Sequence, residues 1–261
     1  MWVTSKSLSP ITFLCLVTLF AAPTRAVECY WWNSIVASLK CDPIFESLSK
    51  TSPRSREGYA VYAQQCDKAV TCLTENPCHN RNRGKADLED FCGYVRLTDF
   101  DHNPCLKGFF RNAYLSQFSD DESCFKNFTS LTESMSLNQE EFINGKSCFL
   151  SYVEDNCNAA ARNYFSKHFD NFIKFIPSTR GCTDPQVAVA EAFCNGLNDE
   201  YRDRLQSLNE TIIRSNSLYL SNTIKLCKDI SICLKGKCAD FIRKRINKDS
   251  STCHLLENYF L

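Results

Sequence analysis

Glycine and proline are scarce in this 261-residue chain, eight of each, which excludes collagen-like repeats and low-complexity linkers. Neither sign of charge is in excess, with 30 basic and 30 acidic side chains. A nucleic-acid binder would normally carry a clear basic surplus, so that class is set aside. Beyond residue 26 no stretch approaches the roughly 18 apolar residues that suggest a membrane span, so stable membrane insertion is not expected. The chain has no H-E-x-x-H zinc motif and no G-x-S-x-G serine elbow, and no metal or cofactor is expected.

Cysteine is what the chain has in quantity, 17 in all. The first 26 residues read as a signal peptide: Lys6 precedes an apolar run from Ile11 to Ala22, and Thr24 and Ala26 are small residues before a cut at Val27. Removing residues 1–26 takes Cys15 away and leaves sixteen cysteines, an even number. Behind a secretory signal that implies eight disulfides and an extracellular location. Asn127-Phe-Thr and Asn209-Glu-Thr are acceptor triplets for N-glycans, and use of either requires exposure.

The cysteine spacing repeats. Eleven residues separate Cys29 from Cys41, and eleven separate Cys182 from Cys194. Cys66, Cys72 and Cys78 lie five and five residues apart; Cys227, Cys233 and Cys238 lie five and four apart. Cys92 follows the first triplet after thirteen residues, and Cys253 follows the second after fourteen. The order is therefore read as a ten-cysteine domain at 27–178 and a shortened six-cysteine copy at 182–261. Within each set of six, three bridges should close, and Cys105, Cys124, Cys148 and Cys157 should form two more. Fifteen connectivities remain open inside each six.

Apolar periodicity is helical. Tyr59, Tyr62, Ala63, Cys66, Ala69, Val70 and Leu73 recur at three and four, as do Phe165, His168, Phe169, Phe172, Phe175 and Ile176. Asn144-Gly145 has no alternating strands around it. Residues 187–226 read as helix-compatible almost throughout, with Asp184 as N-cap and Pro185 in the first turn. Ser119 to Glu122 and Ser136 to Gln139 have capping-box spacing. On a helix Cys66 and Cys72 stand roughly 120° apart and should bond different neighbours. The expected fold is all-α, a disulfide-stapled helical bundle of two tandem related domains.

The segment Phe142-Ile-Asn-Gly-Lys-Ser-Cys-Phe-Leu-Ser-Tyr-Val-Glu-Asp-Asn-Cys157 resembles a stretch characteristic of a known family. So do Asn103-Pro-Cys-Leu-Lys-Gly-Phe-Phe110 and the aromatic helix from Tyr164 to Phe175. The chain is similar to the secreted, cysteine-rich domain-of-unknown-function family, the nineteenth so catalogued, that is expanded in nematodes. The resemblance covers about 150 residues of the first domain and the front half of a domain in the second. It implies no catalytic residue, cofactor or ligand.

The candidate chemical groups are few. Of four histidines, His168 belongs to an aromatic stripe and is expected at the core or its edge. His79 follows Cys78 in a polar loop and should be exposed; His102 and His254 have no motif. The acidic clusters Asp120-Asp-Glu122, Glu140-Glu141 and Glu154-Asp155 fix no carboxylate pair across a cleft. Lys235, Lys237, Arg243, Lys244 and Arg245 could contact an anionic surface, though a solvated helix face is the simpler reading. Tyr30-Trp-Trp32 should pack against the neighbouring disulfide. The expected function is that of a secreted, non-catalytic binding module with an extracellular partner; the alternative is a carrier of lipid or another small hydrophobe.

Overall fold

A computed structural model describes residues 28–51, 55–120, 122–177, 182–208, 217–233 and 238. Among them no strand occurs, and ten α-helices account for most of the chain. They are α1 (Trp31–Lys50), α2 (Arg56–Glu75), α3 (Lys85–Leu97), α4 (His102–Ser116) and α5 (Ser130–Glu133). α6 (Gln139–Asn144), α7 (Lys146–Asn156), α8 (Ala159–Lys174), α9 (Asp184–Ser207) and α10 (Ser217–Cys233) follow. The molecule is an all-α, disulfide-stapled bundle.

Local chemistry sets the helix boundaries, at places the sequence pattern located only in part. Ser55 caps α2 by accepting from the Gly58 amide at 3.1 Å. The two expected capping boxes do not form. Ser123 caps a short 3₁₀ turn at 124–127, and Asn138 caps α6. Thr183, not Asp184, is the N-cap of α9; Gln186 Oε1 accepts from its amide at 3.0 Å. In each case the better-placed cap lies one to four residues from the expected one. The helix expected over 187–226 ends at Ser207, where Leu208 turns extended.

Seven bridges are described: Cys29–Cys78, Cys41–Cys72, Cys66–Cys92, Cys105–Cys157, Cys124–Cys148, Cys182–Cys238 and Cys194–Cys233. Cys227 is disulfide-bonded as well, while Cys253 lies outside the described residues. Cys66 and Cys72 reach different helices, as their angular separation requires. The first, second and third pairs of the leading six cysteines link first to fifth, second to fourth and third to sixth. Cys182–Cys238 and Cys194–Cys233 repeat the first two of these links in rank.

Two cores form. The smaller joins α1, α2 and α3 through Cys41, Phe45, Leu48, Tyr62, Cys66, Leu73 and Val95. The larger is aromatic, with Phe109, Phe110, Phe128, Phe142, Phe149, Phe165 and Phe172 fully buried. Their rings meet mostly edge to face, as the aromatic quadrupole favours. The larger core runs on into α9 and α10 through Val187, Val189, Ala192, Phe193, Leu197 and Leu226. α9 packs on α3 and α4. Phe193 meets Phe110 at 5.4 Å between ring centroids, and Lys107 pairs with Asp199 at 3.3 Å. Tyr114 Oη donates to the buried Asp229 at 2.6 Å, tying α4 to α10.

Two expectations about exposure are reversed. His79 is buried at 3% exposure rather than solvated. The Cys29–Cys78 bridge draws its loop onto α1, where Ser34 Oγ donates to the Cys78 carbonyl at 2.9 Å. His79 Nδ1 accepts from the Arg81 amide at 3.0 Å, so Nε2 carries the hydrogen and donates to Asp42 at 3.1 Å. Tyr30, Trp31 and Trp32, expected to pack down against the disulfide, are left 55%, 76% and 55% exposed. Ala37, Cys41, Phe45 and Leu48 claim the inner face of α1, and that register turns both indoles outward.

Candidate functional site

Among the described residues, a cleft and a bare helix face offer chemistry. The cleft, about 400 Å³, opens between α2, α3, α8 and the start of α9 over the Cys66–Cys92 bridge. Asp67, Glu89 and Asp90 line it together with Arg96, Lys174 and His168, and Tyr164 and Phe175 supply apolar wall. Arg96 is committed within the protein: it pairs with Asp67, donates to the Ala63 carbonyl at 3.2 Å and stands 5.6 Å from the Tyr164 ring centre. Burial pushes the Tyr164 phenol up to about 12.

His168 is half-buried at a kink in α8, which matches its expected place at the core edge. Burial, helped by the Arg96 charge, holds its imidazole below the usual range. The cysteines of the cleft are bridged, so they offer no thiol. No group of three metal-ligating side chains occurs among the described residues.

Burial first, then the charges of Asp87, Glu89 and Asp184, raise the Asp90 carboxyl above its usual range. A carboxyl with a raised native value favours folding while protonated, and that contribution is lost as pH rises through the native value. Asp90→Asn is therefore expected to stabilise the protein at neutral pH by about 0.5 kcal/mol, the scale of one relieved like-charge contact. Urea denaturation at pH 7 should show the gain, and at pH 3 it should vanish. A variant less stable than the parent at pH 7 would refute this account of the carboxylates.

Several of the remaining sequence candidates have structural partners. His102 and Asp99 form a buried pair in which Asp99 Oδ1 also accepts from the His102 amide at 2.6 Å, closing the start of α4. Glu141 accepts from the Ser130 amide at 3.0 Å and caps α5. Glu154 pairs with Arg162 at 3.3 Å. Asn127 is exposed while Phe128 between it and Thr129 is buried. Asn209, His254, Lys235, Lys237, Arg243, Lys244 and Arg245 lie outside the described residues.

The motif residues at 103–110 and 142–157 are packing residues. Phe142 and Phe149 are fully buried. Gly145 lets Phe128 approach so closely that an added Cβ would meet its ring at 2.4 Å. Lys146 sits 4.8 Å from the centre of the Phe169 ring and 3.1 Å from Asp170. Cys105 and Cys157 join the start of α4 to the end of α7.

The bare face lies on α1. Trp31, Trp32, Ile35, Val36 and Leu39 are 76%, 55%, 49%, 48% and 74% exposed. Ile35, Leu39 and Pro43 border a shallow groove of about 450 Å³ with Ser34, Ser38 and Asp42. Sequence reasoning noted the two indoles but missed the aliphatic residues that continue their stripe at helical spacing. Trp31, Ile35 and Leu39 stand four apart, which was the signal available.

What these features define is a cysteine-laced helical scaffold whose recurrent motifs build the core and whose outer surface carries an apolar helix face. Residues 24–183 match the family model described as Domain of unknown function (DUF19), and the chain belongs to that family. No curated protein and no solved structure matches.

Proposed function

We propose that the protein is a secreted, non-catalytic scaffold that recognises an extracellular partner through the outer face of α1. The observation that carries this reading is the set of five large apolar side chains left exposed on a helix fixed by two disulfides. Cys29–Cys78 holds the chain just before α1 and Cys41–Cys72 holds its middle, so the face is preorganised and little ordering entropy is lost on contact. Aromatic anchors on a rigid support are the usual content of binding hot spots.

Secretion is supported by the density of disulfides and by the leader-like residues 1–26. No helix among the described residues is long and apolar enough to cross a membrane. Exposure of Asn127 supports its use as a glycan acceptor. The shared rank order of the bridges supports a tandem copy beginning at Cys182. The carrier alternative draws less support, because interlocked phenylalanine rings fill the centre of the larger core.

Trp31 and Trp32 are the only tryptophans after residue 26, so indole emission from the processed protein reports on this face alone. Titration with extracellular fractions should move the emission to shorter wavelength and shield it from acrylamide, and Leu39→Glu should abolish both effects. A hydrolase predicts the opposite pattern. It would show turnover on a substrate panel, lost in His168→Asn and kept in Leu39→Glu, and that result would overturn the scaffold reading.

A further inference from the structure

The exposed face of α1 has a counterpart within the same chain. Cys41 is the eleventh residue of α1 and Cys194 the eleventh of α9, so the cysteine register matches each α1 position with the one 153 residues later. Trp32, Ile35, Val36 and Leu39 then correspond to Pro185, Ala188, Val189 and Ala192, and all four of these are buried. Pro43 corresponds to Gly196, where an added Cβ would meet the Lys107 carbonyl oxygen at 2.6 Å. Glu46 corresponds to Asp199, which pairs with Lys107 at 3.3 Å. On α9 the stripe is buried, and at its far end, Gly196 and Asp199, it meets Lys107 of α4. On α1 the corresponding side chains are as large or larger and about half or more exposed.

We propose that two copies of this chain pair through their α1 helices, crossing near Ile35 and Leu39. The inference rests on the recognition reading above and names the partner of that surface. Side chains of this size and exposure, with Tyr30 at their end, present on the order of 700 Å² of surface. That is on the scale of the largest apolar patches of monomers, about 300–600 Å². It approaches the roughly 800 Å² per partner of a standard interface.

The charge pattern allows self-pairing. The stripe from Trp31 to Leu39 carries no charge, and Glu46 and Lys50 beyond it neutralise each other at 2.6 Å. A parallel side-by-side pairing would set Asp42 against Asp42. A pair crossed at Ile35 keeps these carboxylates apart while burying the indoles.

The test uses the secreted chain, with light scattering after gel filtration and tryptophan emission read against protein concentration. The expected result is twice the mass of one chain, with emission moving to shorter wavelength as concentration rises. Ile35→Asp combined with Leu39→Glu should give the mass of one chain and an unmoved emission, with an unchanged helical circular dichroism spectrum. Val61→Glu, on an exposed part of α2, should leave the dimer intact.

A wild-type chain that stays single at about 0.1 mM, roughly a hundredfold above a micromolar Kd, would overturn self-pairing. So would a dimer that survives the double substitution. A single chain whose indoles still respond to phospholipid vesicles or extracellular protein overturns self-pairing but leaves recognition by α1 standing. One whose indoles respond to nothing overturns both.

Discussion

Phe149→Ala is expected to lower the free energy of unfolding by about 3–5 kcal/mol, the range for deleting a buried ring that its neighbours cannot replace. Phe149 is fully buried in α7. Its ring centre lies 4.8 Å from Phe109, 5.2 Å from both Phe165 and Phe172, and 5.7 Å from Phe169. These partners come from α4 and α8, so one deletion loosens three helices at once. Collapse into the void is resisted by covalent staples on either side, Cys124–Cys148 and Cys105–Cys157. Urea denaturation with all bridges intact should show a large fall in midpoint and little change in slope. Phe100→Ala, at a ring 52% exposed, should cost much less. Equal losses at the two positions would show that the aromatic cluster does not carry the stability assigned to it.

The elements that were legible in the sequence are those fixed by covalent arithmetic or long periodicity. Cysteine spacing foretold that Cys105, Cys124, Cys148 and Cys157 close among themselves, and they do. The stripe from Phe165 to Ile176 foretold a helix with its phenylalanines inside. What remained hidden depends on competition between faces. Tyr30, Trp31 and Trp32 look like core residues by composition, yet Ala37, Cys41, Phe45 and Leu48 hold the inner side of α1 and the indoles are left outside. His79 looks like a loop residue, yet a bridge 49 residues long in sequence folds its loop onto α1. The first is a contest between two faces of one helix, which composition does not decide, and the second is decided by a partner distant in sequence. The cleft over Cys66–Cys92 was illegible for the same reason: its walls come from four helices.

Residues 182–261 expressed alone are expected not to fold, although Cys182–Cys238 and Cys194–Cys233 repeat in rank two of the bridges of residues 29–92. The first half of α9 is buried on nearly every side: Val187, Val189, Ala192, Phe193 and Leu197 are each 4% exposed or less. A helix apolar on every side needs cover on every side, and much of the cover over α9 comes from α3 and α4. An 80-residue piece deprived of it has little core left and depends on bridges that cannot close a hydrophobic surface. The complementary piece, 27–177, keeps five bridges and both aromatic and N-terminal cores. It should fold, but with Phe110, Ala113 and Tyr114 of α4 losing part of their cover. Uncovering two such side chains, at about 1.5–3 kcal/mol each when fully buried, lowers the thermal midpoint by on the order of 10 °C. Thermal circular dichroism and dye binding to exposed apolar surface should report both effects, and mixing the pieces should reverse them. A cooperative thermal transition in 182–261 alone would overturn this prediction and make the C-terminal segment a domain in its own right.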